Sequence, residues 1–348
     1  MRHAPVRRRL TIADIARAAN VSIPTVSKVV NGRPDVAAST REHVQRVIDE
    51  RGYVTGRAAR ALRHGSSGLV DVAVEALDSE YVCEIISGIE EALEPCGLRL
   101  VLSMTDGKPK RERQWVNKVT DGSTDGAILV LACRQSDQSE EFSRRGIPFV
   151  VVDKQGETGP YAPSMSATNL AGGRAATQHL LSFGHRRIAV IGGPIDMRCS
   201  QERIAGYRTA LDSAGIAFDA ALVRHGTFHL EAGEQETKAL LALPDPPTAI
   251  FAGSDLQALG VYNALHTAGV SVPSDVSVVG FDDVPLAANT SPRLTTVRQP
   301  LAEMGRMATN MLVQLLKGKR LDIARVELAT TLVMRESCAP PRSALRLG

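Results

Sequence analysis

The sequence predicts a small all-α helix-turn-helix head joined to a larger α/β body of two lobes built on parallel sheets. Three observations carry that reading. The first 63 residues hold 13 Lys and Arg against 5 Asp and Glu, a net +8, whereas the other 285 residues carry a net −5. Apolar residues of the head recur at helical spacing, and those of the body alternate between short continuous runs and helical stripes. A charge split of this kind marks a polyanion-binding module attached to an ordinary soluble body.

Within the head, Ile12, Ile15, Ala16 and Ala19 repeat at i, i+3, i+4 and i+7 and define one face of a short helix. Thr11 followed by Asp14 suits a capping box at its start. Asn20 tolerates the left-handed conformation that a tight turn between helices needs. Val26, Val29 and Val30 give a second apolar face, with Ser22 as cap and Pro24 in the first turn, where no intrahelical N–H partner is lost. Val44, Val47 and Ile48 mark a third helix that Gly52 stops. Ser39 with Glu42 fits its cap, or the helix begins a residue or two earlier. Two helices around a turn of about four residues, with the small Ala16 allowing close approach, form a helix-turn-helix whose second helix enters the major groove. A purely structural three-helix cap is the alternative; basic charge, turn chemistry and spacing together favour DNA.

At these residues the chain resembles the LacI/GalR (lactose and galactose repressor) family of bacterial transcription regulators. The resemblance rests on Thr11, Asp14, Ala16, Ala19, Val21, Ser22, Thr25, Val26, Ser27, Lys28, Val29 and Asn31, then Thr40, Arg41, Val44, Gly52, Tyr53 and the run Ala59, Arg60, Ala61, Leu62. It continues less densely to about residue 337. It implies that Ser22, Thr25, Ser27 and Asn31, with Thr11 and Tyr53, hold phosphates, contacts that fix register and carry no sequence information. Ile23, Pro24 and Lys28 occupy the positions that reach base edges. Ile and Pro side chains can only pack there, for example on a thymine methyl. Lys28 is therefore the main polar reader, with guanine O6 and N7 as its target.

Residues 57–63 are good helix formers with spaced basic residues, yet too few for a stable isolated helix. The resemblance makes them a hinge helix that pairs with its dimer mate in the minor groove, with Arg57 and Ala59 at the DNA and Leu62 as the apolar wedge. A solvated linker is the plain alternative. Gly56 stands where the family commonly has Asn, so the hinge start is less well capped.

Beyond residue 69, apolar runs at 69–74, 98–102, 127–131, 149–152, 188–191, 249–252 and 276–279 are separated by helical stripes such as Ile85, Ile86, Ile89 and Leu93. Strands apolar on both faces and separated by helices indicate parallel sheets covered on both sides. About 270 residues is long for one such sheet, which points to two subdomains. The resemblance implies a periplasmic-binding-protein-like body with a cleft between its lobes.

Asp153, Asp255 and Asp282 each follow such a run, and ligands of parallel α/β sheets bind outside the carboxyl ends of the strands. Carboxylates that accept hydroxyls, with a planar Arg fork that donates, suit a polyol. By resemblance Arg203, before Gly206 and Tyr207, and Asp282 match effector contacts, while Asp78 and Tyr81 occupy the first-lobe loop. Ser254 stands before Asp255 where relatives have Asn, an exchange expected to widen the pocket. A helix cap is the competing role for each carboxylate, and it suits Asp255 and Asp283 best.

Other features have structural readings. His185, in a helix-to-strand turn, is expected to make local hydrogen bonds; Gly192, Gly193 and Pro194 form a strand exit and not a phosphate loop. Trp115 belongs to core packing. Cys83, Cys96, Cys133, Cys199 and Cys338 are scattered and odd in number, against a zinc site or a disulfide framework, and no metal or cofactor is expected. With no apolar leader and no run of apolar residues long enough to span a bilayer, a cytoplasmic protein without a membrane partner is expected.

The sequence thus describes a ligand-responsive transcription regulator, a homodimer on a pseudo-palindromic double-stranded DNA operator, released by a sugar or short oligosaccharide. Its divisions are a head at 1–55, a hinge at 56–68, an effector and dimerisation body at 69–337 and a tail at 338–348. Three alternatives differ in kind. A purine-type corepressor would tighten DNA binding. A sugar-active enzyme needs two carboxyls about 5 to 9 Å apart across a bond, whereas the adjacent pair Asp282 and Asp283 diverges at a strand end. A transport protein has no use for the head. No leucine heptads follow Leu332, so a C-terminal coiled-coil tetramer is not expected.

Overall fold

Among the described residues of the head, three helices are present: α1 (Ile12–Ala18), α2 (Ile23–Val30) and α3 (Ala38–Arg51). The computed structural model describes residues 10–30, 32–53, 66–130, 137–153 and 162–342; these fall into two units, 1–68 and 69–348. The expected capping box is present. Asp14 N–H donates to Thr11 Oγ1 (3.3 Å), and Thr11 donates to Asp14 Oδ2 through its backbone N–H (2.9 Å) and its hydroxyl (2.7 Å). Asn20 takes the left-handed conformation at φ 51°, and Ser22 Oγ accepts from Thr25 N–H at 3.2 Å. α3 takes the earlier of the two expected starts, ahead of the Ser39 and Glu42 cap. Ala37 is its N-cap, without a side-chain bond, because Arg41 N–H reaches Ala37 O (2.9 Å) and closes the first turn earlier. Gly52 ends it at φ 62°. Ile15, Ala16, Ala19, Val26, Val29, Val44 and Val47 form the buried core that the spacing identified.

The body is two sheets. The first holds β1 (Leu69–Val74), β2 (Arg99–Met104), β3 (Gly126–Val130), β4 (Phe149–Val152), β5 (Ser164–Ala167) and β11 (Arg325–Leu328), in the order β11-β5-β4-β3-β1-β2. The second holds β6 (Ile188–Gly192), β7 (Val223–His225), β8 (Ala249–Ala252), β9 (Ser277–Asp282), β10 (Thr295–Arg298) and β12 (Thr331–Val333), in the order β12-β10-β9-β8-β6-β7. Among the described residues every pairing is parallel except that of β12 with β10. Position for position the two orders are the same. The chain crosses between lobes three times, after β5, after β10 and after β11. Two crossings are tied together: Thr330 N–H donates to Thr168 Oγ1 at 3.0 Å.

Around the sheets lie α4 (Glu80–Leu93), α5 (Pro109–Thr120), α6 (Asp137–Arg145), α7 (Asn169–Ser182), α8 (Arg198–Ser213), α9 (Leu230–Leu241), α10 (Asp255–Thr267), α11 (Pro285–Asn289) and α12 (Leu301–Leu316). Three helix pairs pack through reciprocal glycines: Gly88 of α4 with Gly305 of α12, Gly173 of α7 with Gly206 of α8, and Gly233 of α9 with Gly260 of α10. A Cβ at any of the six would lie 1.9 to 2.2 Å from a carbonyl oxygen of the facing helix. Only glycine permits that backbone approach.

Trp115 packs edge-on against Phe142 (5.3 Å between centroids) and donates its indole N–H to the buried Asp71 at 2.8 Å. His185 is a hydrogen-bonding residue as expected, but its partners are distant in sequence and not local: Thr248 Oγ1 at 2.9 Å and Ala339 O at 2.9 Å. The latter contact and an Arg342–Asp275 bond of 2.9 Å carry the packed chain past residue 337 onto the second lobe. Cys133 and the hinge residues Arg57, Ala59 and Leu62, like Asn31, lie outside the described residues. Among the described residues no helix is long and apolar enough to cross a membrane.

Candidate functional site

The carboxyl ends of both sheets face a cavity of about 580 Å³. Its second-lobe wall is built around Arg203, 4% exposed, which α8 delivers from below. The guanidinium is fixed on several sides: Nε donates to Asn169 Oδ1 at 2.9 Å and Nη1 to Gly253 O at 2.5 Å. Its carbon sits 3.8 Å from the centroid of Phe281 and 5.3 Å from that of Phe228. Stacking and bonds together set the plane of the fork before any ligand arrives.

Asp282 ends β9 at φ 118°, a conformation that L side chains rarely adopt. Oδ1 accepts from Gln299 Nε2 at 2.6 Å and lies 3.9 Å from Arg203 Nη1. Burial pushes its pKa up to about 7, Arg203 and Gln299 pull it down, and Asp153 pushes it up further. Asp153, at the end of β4 in the first lobe, also has positive φ (49°). The Tyr81 hydroxyl donates to its Oδ2, and its Oδ1 has no partner among the described residues. Burial raises this carboxyl above the usual carboxylate range, against the pull of Tyr81 and Arg203. Burial, then the neighbouring Asp153 charge, push the Tyr81 phenol well up.

The other predicted positions divide. Asp78 lines the mouth of the cavity, where His229 Nε2 comes within 3.9 Å of its Oδ2 across the two lobes. A second contact across the lobes joins Glu80 Oε2 to Leu286 N–H at 2.9 Å. Ser254 lines the cavity, but its hydroxyl is engaged, donating to Phe228 O (2.9 Å) and capping α10 through Gln257 N–H (3.0 Å). Asp255 is not in the lining. Fully buried, it accepts from Thr296 Oγ1 (2.5 Å) and Val284 N–H (3.0 Å), and so braces the backbone that follows Asp282. Asp283 likewise pairs with Arg298 (2.6 Å) and Arg335 (2.5 Å), away from that lining. Sequence reasoning did not find Phe228, His229, Asn169, Gln299 or Glu75. Phe228 and His229 follow a three-residue strand, VRH, that has no apolar run to announce it.

In the head, Ile23 is 49% exposed and Pro24 and Lys28 are exposed beside it, while Ser27 and Tyr53 are half-buried. The hydroxyls of Ser22 and Thr25 bond each other at 2.8 Å, and that of Thr11 serves its cap. Lys28 Nζ lies 2.7 Å from Asp35 Oδ2, a partner that sequence reading had not assigned. The Lys28 bond lowers the pKa of Asp35. Among the described residues, α2 thus displays one cation and an apolar tip on a basic unit of three helices.

A basic helix-turn-helix unit and a two-lobed body with a polar cleft define a class, the ligand-responsive DNA-binding regulators. Residues 11–56 match the model for bacterial regulatory proteins of the lacI family, and residues 177–338 match the periplasmic binding protein-like domain. The HTH-type transcriptional regulator CelR of Thermobifida fusca is 36% identical over 338 residues, covering 95% of this chain and 99% of that protein. A solved CelR–cellobiose complex is 34% identical with a TM-score of 0.73, covering 94% of this chain and 100% of that one. The lac repressor dimer bound to operator and the anti-inducer ONPF is 28% identical, TM-score 0.85, covering 95% and 100%. The chain belongs to the lacI family, whose members are transcriptional regulators.

Proposed function

We propose that this regulator is a homodimeric repressor of carbohydrate uptake or catabolism genes, released from a pseudo-palindromic operator by a neutral sugar or short oligosaccharide. The observation that carries this is the fixed Arg203 fork between Asp153 and Asp282, one carboxylate from each lobe. Carboxylates accept hydroxyl protons and the fork donates to ring or hydroxyl oxygens. A lining with more carboxylates than cations disfavours phosphorylated or uronic ligands. The similarity to CelR, solved with cellobiose, agrees.

Arg203, Asp282, Asp153 and Tyr81 are the residues we assign to the effector, with Asp78 at the mouth, Ser254 as wall and Asp255 as brace. On the DNA side, Ser22, Thr25, Ser27, Thr11, Tyr53 and Asn31 position phosphates, Ile23, Pro24 and Lys28 meet bases, and Arg57, Ala59 and Leu62 act in the hinge. A ligand that binds both lobes favours the arrangement with its groups closest. If that arrangement differs from the DNA-competent one, reciprocity requires operator binding to weaken the sugar by the same factor.

The test is to select genomic fragments on purified, ligand-free protein and then challenge the retained DNA with sugars and with purines. Recovery of a palindrome released by a sugar is the expected result. DNA retained only with an added purine would replace this reading with corepression, and no retained DNA under any condition would end both.

A further inference from the structure

We infer that the cleft contains two subsites in line, and that its ligand is a neutral carbohydrate of at least two rings whose far ring is held by Glu75. This rests on the carbohydrate reading above and adds to it the length of the ligand. The strand order supplies the distance. Asp153 follows β4, whereas Glu75 follows β1 and Asp106 lies just beyond β2, two and three places along the same sheet. Neighbouring strands stand about 4.8 Å apart, so the edge from Asp153 to Asp106 spans roughly 14 Å. The second lobe repeats the offset, with Asp282 at β9 and His229 beyond β7, three places away. The two far ends face each other, as the Asp78–His229 approach of 3.9 Å shows.

A single pyranose seated on Arg203, Asp153 and Asp282 therefore leaves the far end of this trench empty. That end is polar. The Glu75 carboxylate lines the cavity, half-buried, and has no hydrogen-bond or ion-pair partner among the described residues. It lies over Gly107, where a Cβ would come 2.5 Å from its Oε1. Asp106 beside it has its Oδ2 bound to Arg111 at 2.6 Å, whereas neither oxygen of Glu75 is engaged among the described residues. Between the ends, the Phe228 ring covers Gly193, with ring atoms 2.1 to 2.5 Å from where a Cβ would stand. The ring lines the cavity 5.3 Å from the Arg203 guanidinium carbon, an apolar surface that suits the face of a sugar ring. At the near end Asp153 Oδ1 is buried without a partner, a second acceptor waiting for a hydroxyl.

The experiment is calorimetric titration of the full-length protein with D-glucose, D-galactose and D-ribose, and with cellobiose, maltose and lactose. It is repeated on Glu75→Ala, Glu75→Gln and Asp282→Asn. One disaccharide should bind more tightly than its constituent monosaccharides. Both Glu75 variants should weaken that disaccharide about ten- to one-hundred-fold, the loss of a hydrogen bond to a charged group, and leave monosaccharide binding unchanged. Asp282→Asn should weaken sugars of both lengths. Monosaccharide binding as tight as any disaccharide, with no effect of Glu75, would overturn the second subsite and keep the carbohydrate reading. Failure of every sugar to bind protein that still retains operator DNA would overturn both.

Discussion

The two lobes have the same strand order but supply their cleft groups in opposite condition. In the second lobe the groups around the fork are braced: Asp282 by Gln299, the buried Asp255 behind it by Thr296 and Val284, Arg203 by Asn169, Gly253 and two aromatic rings. In the first lobe Asp153 receives one hydrogen bond, from Tyr81, and keeps an unpartnered oxygen, while Glu75 has no partner among the described residues. The second lobe is thus the preorganised half and the first lobe the half that a ligand completes. Preorganised groups lose little on binding, and incomplete ones gain most.

The largest test of this contrast is Arg203→Ala. It leaves buried carboxylates without their cation, and should cost the body about 3 to 5 kcal/mol and abolish effector binding, read by urea denaturation and calorimetry. A loss of ligand alone, with stability intact, would mean that Arg203 does not brace its own lobe. Next, Asp255→Ala and Asp153→Ala should diverge. The first removes two buried bonds, about 1 to 3 kcal/mol, and affects ligand only through the loop; the second should weaken ligand strongly at smaller cost in stability. Equal profiles would erase the distinction between brace and contact.

Stability against pH sharpens the comparison further. A carboxyl whose pKa is higher folded than unfolded holds its proton more tightly when folded, so its contribution falls as pH rises between the two values. For Asp282 that window runs from about 4 in the unfolded chain to about 7 in the folded one. Asp282→Asn should therefore flatten the decline in thermal midpoint between pH 5 and 8, and effector affinity of the native protein should weaken below pH 7. An unchanged slope would show that Asp282 keeps an ordinary pKa. The smallest effect belongs to the head: Lys28→Ala should relax base preference at one operator position by about 1 to 3 kcal/mol, measured by binding-site selection, and leave both lobes' ligand binding untouched.

Much of this was legible in the sequence, for identifiable reasons. Long apolar runs announced β1, β3, β4, β6, β8 and β9, and the residues at their ends include Asp153 and Asp282. The strands SMSA, VRH and TTVR are short and polar, so the positions after them, Phe228 and His229 and then Gln299, carried no signal. Asp255 and Asp282 have the same residue type and strand-end context. The resemblance already favoured a ligand contact for Asp282 and a supporting role for Asp255, and the fold shows how: one lines the cleft while the other turns inward to Thr296. The capping box and Asn20 were readable because their geometry is local; the Lys28–Asp35 pair was not, because it depends on the path of the loop between α2 and α3.

The reciprocal glycines constrain how the body can move. Helices packed backbone to backbone at these glycines resist sliding along one another, α4 on α12 in the first lobe and α7 on α8 and α9 on α10 in the second, so shear within those pairs is disfavoured. Rotation of each lobe about the three crossings, two of them coupled through Thr168 and Thr330, is then the motion that the packing would favour. A ligand that drew the edges of the cleft together would then act on two levers with a common fulcrum, and a displacement at Asp153 or Asp282 would reach the far end of its lobe.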